Sequence, residues 1–211
     1  MRPIGGISLS EPKKQNYLHG AAILAAGVVI MKILGFIYKV PLGNILGDEG
    51  YTHFLVAYNI YSVFLTVATA GLPVALSRMI SEANTMNRPN QVKRIFSVAW
   101  LTFLVLGVVC TLVMFLFPTE LADSLNDVEA SQSILALSPA VLLVCLTSAY
   151  RGYCQGHENM KPTTVGQVLE VLVKVVVGLV LAWYLRDLGR SLPLVSAGAI
   201  FGVTAGSLAA L

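Results

Sequence analysis

Apolar residues in this chain are grouped in long blocks that short polar segments separate. A helix needs about 20 mostly apolar residues to cross a bilayer, and the blocks have that scale. We therefore expect five full membrane-spanning helices and a truncated sixth. They are residues 18–46, 54–80, 96–117, 134–153, 164–185 and 193–211.

This pattern predicts an all-α, polytopic transmembrane helical bundle. Residues 1–16 are expected to form a cytoplasmic tail, and residues 17–211 a transmembrane lobe of about six helices. Lys13 and Lys14 precede the first apolar block, as in a signal peptide, but the block is too long for one and predicts an uncleaved helix. No short repeat divides the chain, so one bundle is expected. The last block ends without a polar flank, which predicts a fragment of a larger bundle.

The composition excludes an ordinary soluble domain. Charged residues make up 12% of the chain and hydrophobic residues 56%, whereas about 25% of an average soluble domain is charged. Cys110, Cys145 and Cys154 lack metal-ligand spacing, so we interpret them as small buried hydrophobic residues. The net charge of +3 does not indicate nucleic acid, because the basic residues cluster at the ends of the apolar blocks.

The distribution of basic residues predicts the orientation, because cytoplasmic loops of membrane proteins carry an excess of lysine and arginine. A cytoplasmic N-terminus places most of them inside. The protein is therefore predicted to be a multi-pass protein of the cell membrane. The inner side receives Arg2, Lys13, Lys14, Arg78, Arg88, Lys93, Arg94, Arg151 and Lys161, and the outer side receives Arg186 and Arg190.

Lys32, Lys39, Glu170 and Lys174 are charged residues that lie inside the apolar blocks. A charge at bilayer depth costs on the order of 3 kcal/mol, so it is expected to line a polar cavity or to bind a ligand. Lys32 lies roughly 20 Å along its helix from Tyr17, close to mid-membrane. Lys39 lies nearer the outer end, where its side chain can alternatively extend to the interface.

Polar and small residues repeat at intervals of three and four on three of the predicted helices, which places each set on one helix face. We expect these faces to line the cavity, although Gly, Ser and Thr also serve helix packing in membranes. Glu170 and Lys174 are four apart, so a structural ion pair is an alternative to a substrate-binding role. The sets are Lys32, Gly35, Lys39 and Gly43; Asn59, Ser62, Thr66 and Thr69; and Thr163, Gln167, Glu170, Lys174 and Gly178.

Two prolines predict interruptions of the helices. Gly71 and Pro73 break the second apolar block, and Pro139 follows Ser138 early in the fourth. Proline removes a backbone donor and clashes with the preceding turn. In transporters such breaks act as hinges or free backbone groups near a binding site, but a plain kink is the alternative.

Several segments resemble the sporulation stage V protein B and polysaccharide-export branch of the multidrug/oligosaccharidyl-lipid/polysaccharide flippase superfamily. That branch includes the MurJ-type lipid II flippases of Gram-positive bacteria, and the resemblance covers nearly the whole chain. The segments are MKILGFIYK at 31–39, LGDEG at 46–50, AGLPVALSRMISE at 70–82, YRGYCQG at 150–156 and MKPT at 160–163.

The resemblance implies two six-helix lobes in a V shape, of which this chain supplies the N-terminal lobe. It also implies a cationic central cavity that holds the diphosphate of an undecaprenyl-linked sugar and faces each side of the membrane in turn. Lys32 matches one cavity arginine of that pattern. A second cavity arginine falls on Tyr38, with Lys39 one place later, and lysine lacks the bidentate fork of arginine.

The resulting prediction is a non-enzymatic flippase or exporter of a lipid-linked saccharide, with no cofactor and no catalytic or metal residues. Lysines would hold the diphosphate, and Asn59 and Gln167 the sugar hydroxyls. His19, His53 and His157 lie at separate membrane boundaries and are expected to be interfacial. The predicted partners are the lipid-linked substrate, membrane lipid and the missing C-terminal lobe. The alternatives are a multidrug and toxin extrusion antiporter, favoured by an acidic or aromatic cavity, and an assembly factor without transport.

Overall fold

The structure is a computed structural model that describes residues 13–211, with side chains described at residue 22 and from residue 24 onward. Most of the tail predicted for residues 1–16, and the His19 side chain, lie outside this part. The regular elements within residues 13–211 are all helices, with no strand, which confirms the all-α prediction. The helices are α1 Lys13–Thr69, α2 Leu72–Thr85, α3 Pro89–Leu116, α4 Pro118–Asp123, α5 Ser131–Gly156, α6 Lys161–Asp187 and α7 Leu192–Ala210, with a 3-10 helix Val128–Ala130 before α5.

The first two predicted spans are joined directly in α1. Residues 47–53, which separate these two spans in the sequence, belong to the same helix, and the helix is interrupted at Gly47, which has φ 66° and ψ −175°. A side chain strongly disfavours that backbone conformation, so glycine allows the turn. The break divides α1 into a first arm, residues 13–46, and a second arm, residues 48–69. Five stretches of the described chain are long and apolar enough to cross a membrane, and the first, Leu24–Thr85, covers residues 24–46 of the first span and all of the second.

The predicted break at Gly71 and Pro73 is confirmed. Helix α1 ends at Thr69 and α2 begins at Leu72, with Gly71 in the left-handed region at φ 72°. Pro73 stands in the first turn of α2, where its missing N–H removes no helical hydrogen bond.

Pro139 does not interrupt α5, which continues from Ser131 to Gly156. A proline leaves the carbonyl four residues before it without its helical donor, and here that carbonyl belongs to Leu135. The Ser138 hydroxyl donates to the Leu135 carbonyl at 2.9 Å. Pro139 is therefore accommodated within a continuous helix, because the residue next to it satisfies the carbonyl that proline frees.

Helices α5 and α7 form the centre of the lobe, whereas few residues of α1 and α6 are buried. The backbones of α6 and α7 touch, since a Cβ on Gly202 would lie 2.6 Å from the Gly178 nitrogen. Such contact requires small residues, as in other membrane helix pairs. Gly178, predicted on the small and polar face of α6, is thus a packing residue. The fully buried side chains around this centre include Phe103, Met114, Ile134, Leu137, Val141 and Ile200.

Candidate functional site

A cavity of about 300 Å³ lies between the two arms of α1 and the middle of α6. Its charged lining residues are Lys39 and Lys174, which come from different helices. The remaining lining is apolar and aromatic. It consists of Met31, Gly35, Tyr38, Leu42, Tyr51, Phe54, Leu55, Tyr58, Val171 and Val175.

Aromatic rings hold the Lys174 ammonium group. Its Nζ lies 5.1 Å from the ring centroid of Tyr58 and 5.8 Å from that of Tyr38, within the range of cation–π attraction. Tyr38 is buried and its hydroxyl donates to the Ala199 carbonyl of α7 at 3.2 Å. Tyr38 falls where the resembling family has a cavity arginine, and here it supplies an aromatic ring held in place by this hydrogen bond. The neighbouring residue, Lys39, lines the cavity.

Glu170 does not pair with Lys174, contrary to the structural alternative drawn from their spacing. Its Oε2 accepts a hydrogen bond from Nη2 of Arg151 on α5, at 2.5 Å. Both side chains are mostly buried, with 19% of Arg151 and 22% of Glu170 exposed. Among the described residues, Lys174 has no carboxylate within 4.0 Å. The pair leaves Lys174 as a cation without an anionic partner at the cavity.

Sequence reasoning missed Arg151 as a member of the site and assigned it to the cytoplasmic side. The available signal was the short connection between α5 and α6, residues 157–160. Two helices joined by so short a connection run antiparallel, so residues near the turn face each other. Arg151 and Glu170 are opposite charges on such a pair.

The other predicted residues lie outside the cavity lining. Lys32 and Asn59 are exposed, and Gln167 is half-buried. Lys32 lies seven residues before Lys39, two turns along the same face of α1. The structure thus brings Lys39 and Lys174 together, places Glu170 one turn from Lys174, and leaves Lys32 and Asn59 on the open surface.

The hydroxyls of the second-arm stripe are engaged by their own helix. Ser62 donates to the Asn59 carbonyl at 2.8 Å, and Thr66 donates to the Ser62 carbonyl at 2.7 Å. They retain acceptor capacity only, because each hydroxyl has one proton to donate. The side-chain amide of Asn59, on the same stripe, can both donate and accept hydrogen bonds.

A larger cavity, about 730 Å³, lies between α2 and α3 and is separate from the lysine cavity. Arg94 is its charged lining residue, and Asn90, Gln91 and Thr102 are its polar ones. No sequence pattern predicted it. This cavity is lined by one cationic side chain, whereas the lysine cavity is lined by two, and none of the predicted binding residues lines the larger cavity. The lysine cavity is therefore the better candidate for the binding site.

The backbone resembles a solved transporter. It matches a transporter of the multidrug/oligosaccharidyl-lipid/polysaccharide superfamily from Pyrococcus furiosus with a TM-score of 0.67 and 18% identity. The match covers 90% of this chain and 43% of that protein. At this identity the comparison shows a common fold.

Two curated proteins of Bacillus subtilis are similar in sequence. Stage V sporulation protein B is 32% identical over 94% of this chain and 38% of its own length. Lipid II flippase MurJ is 30% identical over 75% of this chain and 31% of its own length. The chain thus spans about a third of the length of these relatives.

A third relative from the same organism, the uncharacterized membrane protein YabM, is 31% identical over 94% of this chain. The family of polysaccharide biosynthesis proteins matches residues 17–211, which is almost the whole chain. Together with the apolar helices, these matches show a multi-pass membrane protein related to flippases. The chain belongs to the polysaccharide biosynthesis protein family.

Proposed function

We propose that this chain is the N-terminal lobe of a flippase that moves an undecaprenyl-diphosphate-linked saccharide, lipid II or a related cell-envelope precursor, across the membrane. The observation that carries the proposal is the approach of Lys39 and Lys174 to one cavity from two helices. The name of one relative, lipid II flippase MurJ, supports this substrate class. Transport would belong to a two-lobe protein, since the chain spans about a third of those relatives.

The charges of the cavity favour an anionic ligand. Two ammonium groups line it, and Glu170, the acid nearest along α6, is already hydrogen-bonded to Arg151. Cations inside a membrane are costly unless they are compensated. A diphosphate would supply the compensating charge to Lys39 and Lys174, and it would be held through charge-assisted hydrogen bonds.

The rest of the substrate would bind outside the two lysines. Lys32 continues the basic surface two turns along α1, and Asn59 and Gln167 offer amides for sugar hydroxyls. The polyprenyl tail needs no polar cavity, because it can stay in the lipid that surrounds the exposed apolar faces of α1 and α6. No covalent step is required by this function.

Alternating access would use the helix breaks. Gly71 and Pro73 separate α2 from α1, and Gly47 separates the two arms that line the cavity. Hinges in transporters are a few residues at the ends of elements that absorb changes in backbone angles. Pro139 lies in a continuous helix and would act as a bend within α5.

Replacing a cavity lysine should reduce transport without preventing membrane insertion. In a two-lobe protein carrying this chain, Lys174→Ala or Lys39→Ala should lower flipping of lipid II about 10- to 100-fold, because a hydrogen bond to a charged group contributes about 1.5–3 kcal/mol. Lys32→Ala tests whether the site extends along α1. Flipping is measured in proteoliposomes and by complementation of a flippase-deficient strain.

The matched control is Lys93→Ala, which removes an exposed lysine of α3 that lines neither cavity. It should retain normal flipping. Normal complementation by both Lys174→Ala and Lys39→Ala at equal protein levels would refute the assignment of this cavity.

A multidrug antiporter is the second candidate, because the four aromatic residues Tyr38, Tyr51, Phe54 and Tyr58 line the cavity. Aromatic faces attract organic cations. The faces of Tyr38 and Tyr58 already lie near the Lys174 ammonium group, and a second cation would be repelled by it. The same proteoliposomes should therefore show no efflux of a cationic dye, and dye efflux without lipid II flipping would support the antiporter.

A further inference from the structure

A buried histidine stands at the start of the second arm of α1. His53 is 7% exposed, and its Nδ1 lies 2.7 and 2.8 Å from the two carboxylate oxygens of Asp127, in the connection between α4 and α5. A carboxylate only accepts hydrogen bonds, so Nδ1 carries the proton and donates it to Asp127. This contact fixes both the orientation of the ring and its tautomer.

The other ring nitrogen points into a second group of acids. Nε2 of His53 is shielded from solvent and has no hydrogen-bond partner within residues 13–211. Its nearest charged atom is Oε2 of Glu129, at 3.4 Å. One carboxylate oxygen of Glu49 completes the group: this oxygen, a ring nitrogen of His53 and a carboxylate oxygen of Glu129 all lie within 4.8 Å of one another. Glu49 and His53 are four apart and share a helix face.

The distance from Nε2 to Glu129 fits two metal ligands better than it fits a hydrogen bond. N–H···O bonds are about 2.7–3.2 Å long, shorter than the 3.4 Å observed. Two ligands bound to zinc at about 2.0–2.1 Å in tetrahedral geometry lie roughly 3.3 Å apart. Nε2 of His53, which is buried and has no hydrogen-bond partner among the described residues, therefore lies where it and Glu129 could coordinate the same metal ion.

We propose that Glu49, His53 and Glu129 form a binding site for a divalent transition-metal ion of the zinc class, with Asp127 as the positioning residue. Nε2 and one oxygen from each glutamate supply three ligands, and water supplies the fourth. A carboxylate on the distal nitrogen is the usual second partner of a metal-binding histidine. The imidazole favours zinc over magnesium and calcium, which prefer oxygen ligands alone.

Such an ion would join two parts of the lobe that are distant in sequence. Glu49 and His53 follow the break at Gly47, and Glu129 lies in the 3-10 helix before α5. Binding would fix the second arm of α1 against the connection between α4 and α5. This site is independent of the lysine cavity and of its proposed substrate.

Zinc titration of the purified 211-residue chain in detergent tests the proposal. After removal of bound metals with a chelator, zinc chloride is added in competition with a chromogenic chelator. We expect one saturable equivalent of zinc. Asp127→Asn should weaken binding about 10- to 100-fold, as is usual for outer partners of metal ligands. Cobalt(II) in place of zinc should give the visible absorption of a tetrahedral site.

Glu129→Gln and His157→Ala form the decisive pair of variants. The Glu129 side chain is 65% exposed, so its isosteric replacement should fold normally, and it should lose the equivalent of zinc. His157, exposed and outside the group, serves as the control and should leave binding unchanged. Absence of a saturable equivalent, or equal affinity in Glu129→Gln and the unaltered chain, would overturn the site.

Discussion

At the scale of single residues, the ion pair that Glu170 forms determines the net charge of the candidate site. Lys174 lies one turn away on the same helix, yet Glu170 pairs with Arg151 on α5. The planar guanidinium group is weakly hydrated and well suited to a buried ion pair, whereas the Lys174 ammonium group lies between the rings of Tyr38 and Tyr58. The acid is thereby neutralised, and the cation at the cavity is not.

Removal of Arg151 should therefore destabilise the lobe more than removal of the whole pair. Breaking a buried ion pair costs about 3–5 kcal/mol, and removing both partners costs much less. Because Arg151 and Glu170 are partly exposed, we expect about 1–3 kcal/mol for Arg151→Ala. The double variant with Glu170→Ala should recover part of this loss.

Thermal unfolding in detergent of the two single variants and the double variant measures the coupling between Arg151 and Glu170. Additive losses would contradict the ion pair. If Glu170 instead pairs with Lys174, then Lys174→Ala should destabilise the chain as much as Arg151→Ala does.

At the scale of helices, the sequence predicted the spans but not how consecutive spans are joined. Hydropathy defines the apolar blocks, and the helices contain them. Polarity also suggested a connection at residues 47–53, where Asp48 and Glu49 follow Gly47. Those residues remain helical, since a single glycine can break a helix without a loop. Pro139 likewise leaves α5 continuous, because the Ser138 hydroxyl compensates for the missing donor.

The candidate site was predictable only in part, because spacing along one helix cannot reveal partners on another. The stripe on α1 correctly included Lys39, and the stripe on α6 included Lys174. The partner of Glu170 lies 19 residues away in sequence, and Asp127 lies 74 residues from His53. A lone histidine at a membrane boundary gives no signal for such a distant carboxylate.

The direction of the helices in the membrane is a prediction from the lysine and arginine bias. Asn90 and Ser124 are both exposed and lie near opposite ends of α3. This helix of 28 residues is about 42 Å long, enough to cross a hydrocarbon core of about 30 Å. A cysteine at position 124 should react with an impermeant thiol reagent in intact cells, and one at position 90 should not.

A background with Cys110, Cys145 and Cys154 replaced removes the native thiols. Labelling after the cells are opened is the control, because both introduced cysteines should then react. Labelling of position 90 but not position 124 in intact cells would reverse the orientation.

At the scale of the whole molecule, the lobe has a closed centre and an open face. Helices α5 and α7 are mostly buried, whereas α1 and α6, which carry the lysine cavity, have few buried residues. Lys32 and Asn59 lie on this open surface. Hydrocarbon cannot solvate such groups, so a second lobe is the covering partner that fits the proposed function.

The 211-residue chain alone should therefore fail to flip lipid-linked oligosaccharide. Alternating access in transporters built from repeats requires one half to move against the other around a shared site, and this chain spans about a third of the relatives' length. Proteoliposomes containing the chain should show no flipping above protein-free vesicles, and co-expression with the remaining half should restore part of it. The Lys93→Ala variant of the restored pair should match the unaltered pair, and Lys174→Ala should not. Robust flipping by the chain alone would mean that its open face is covered by a second copy, and that the shared site is built from two identical lobes.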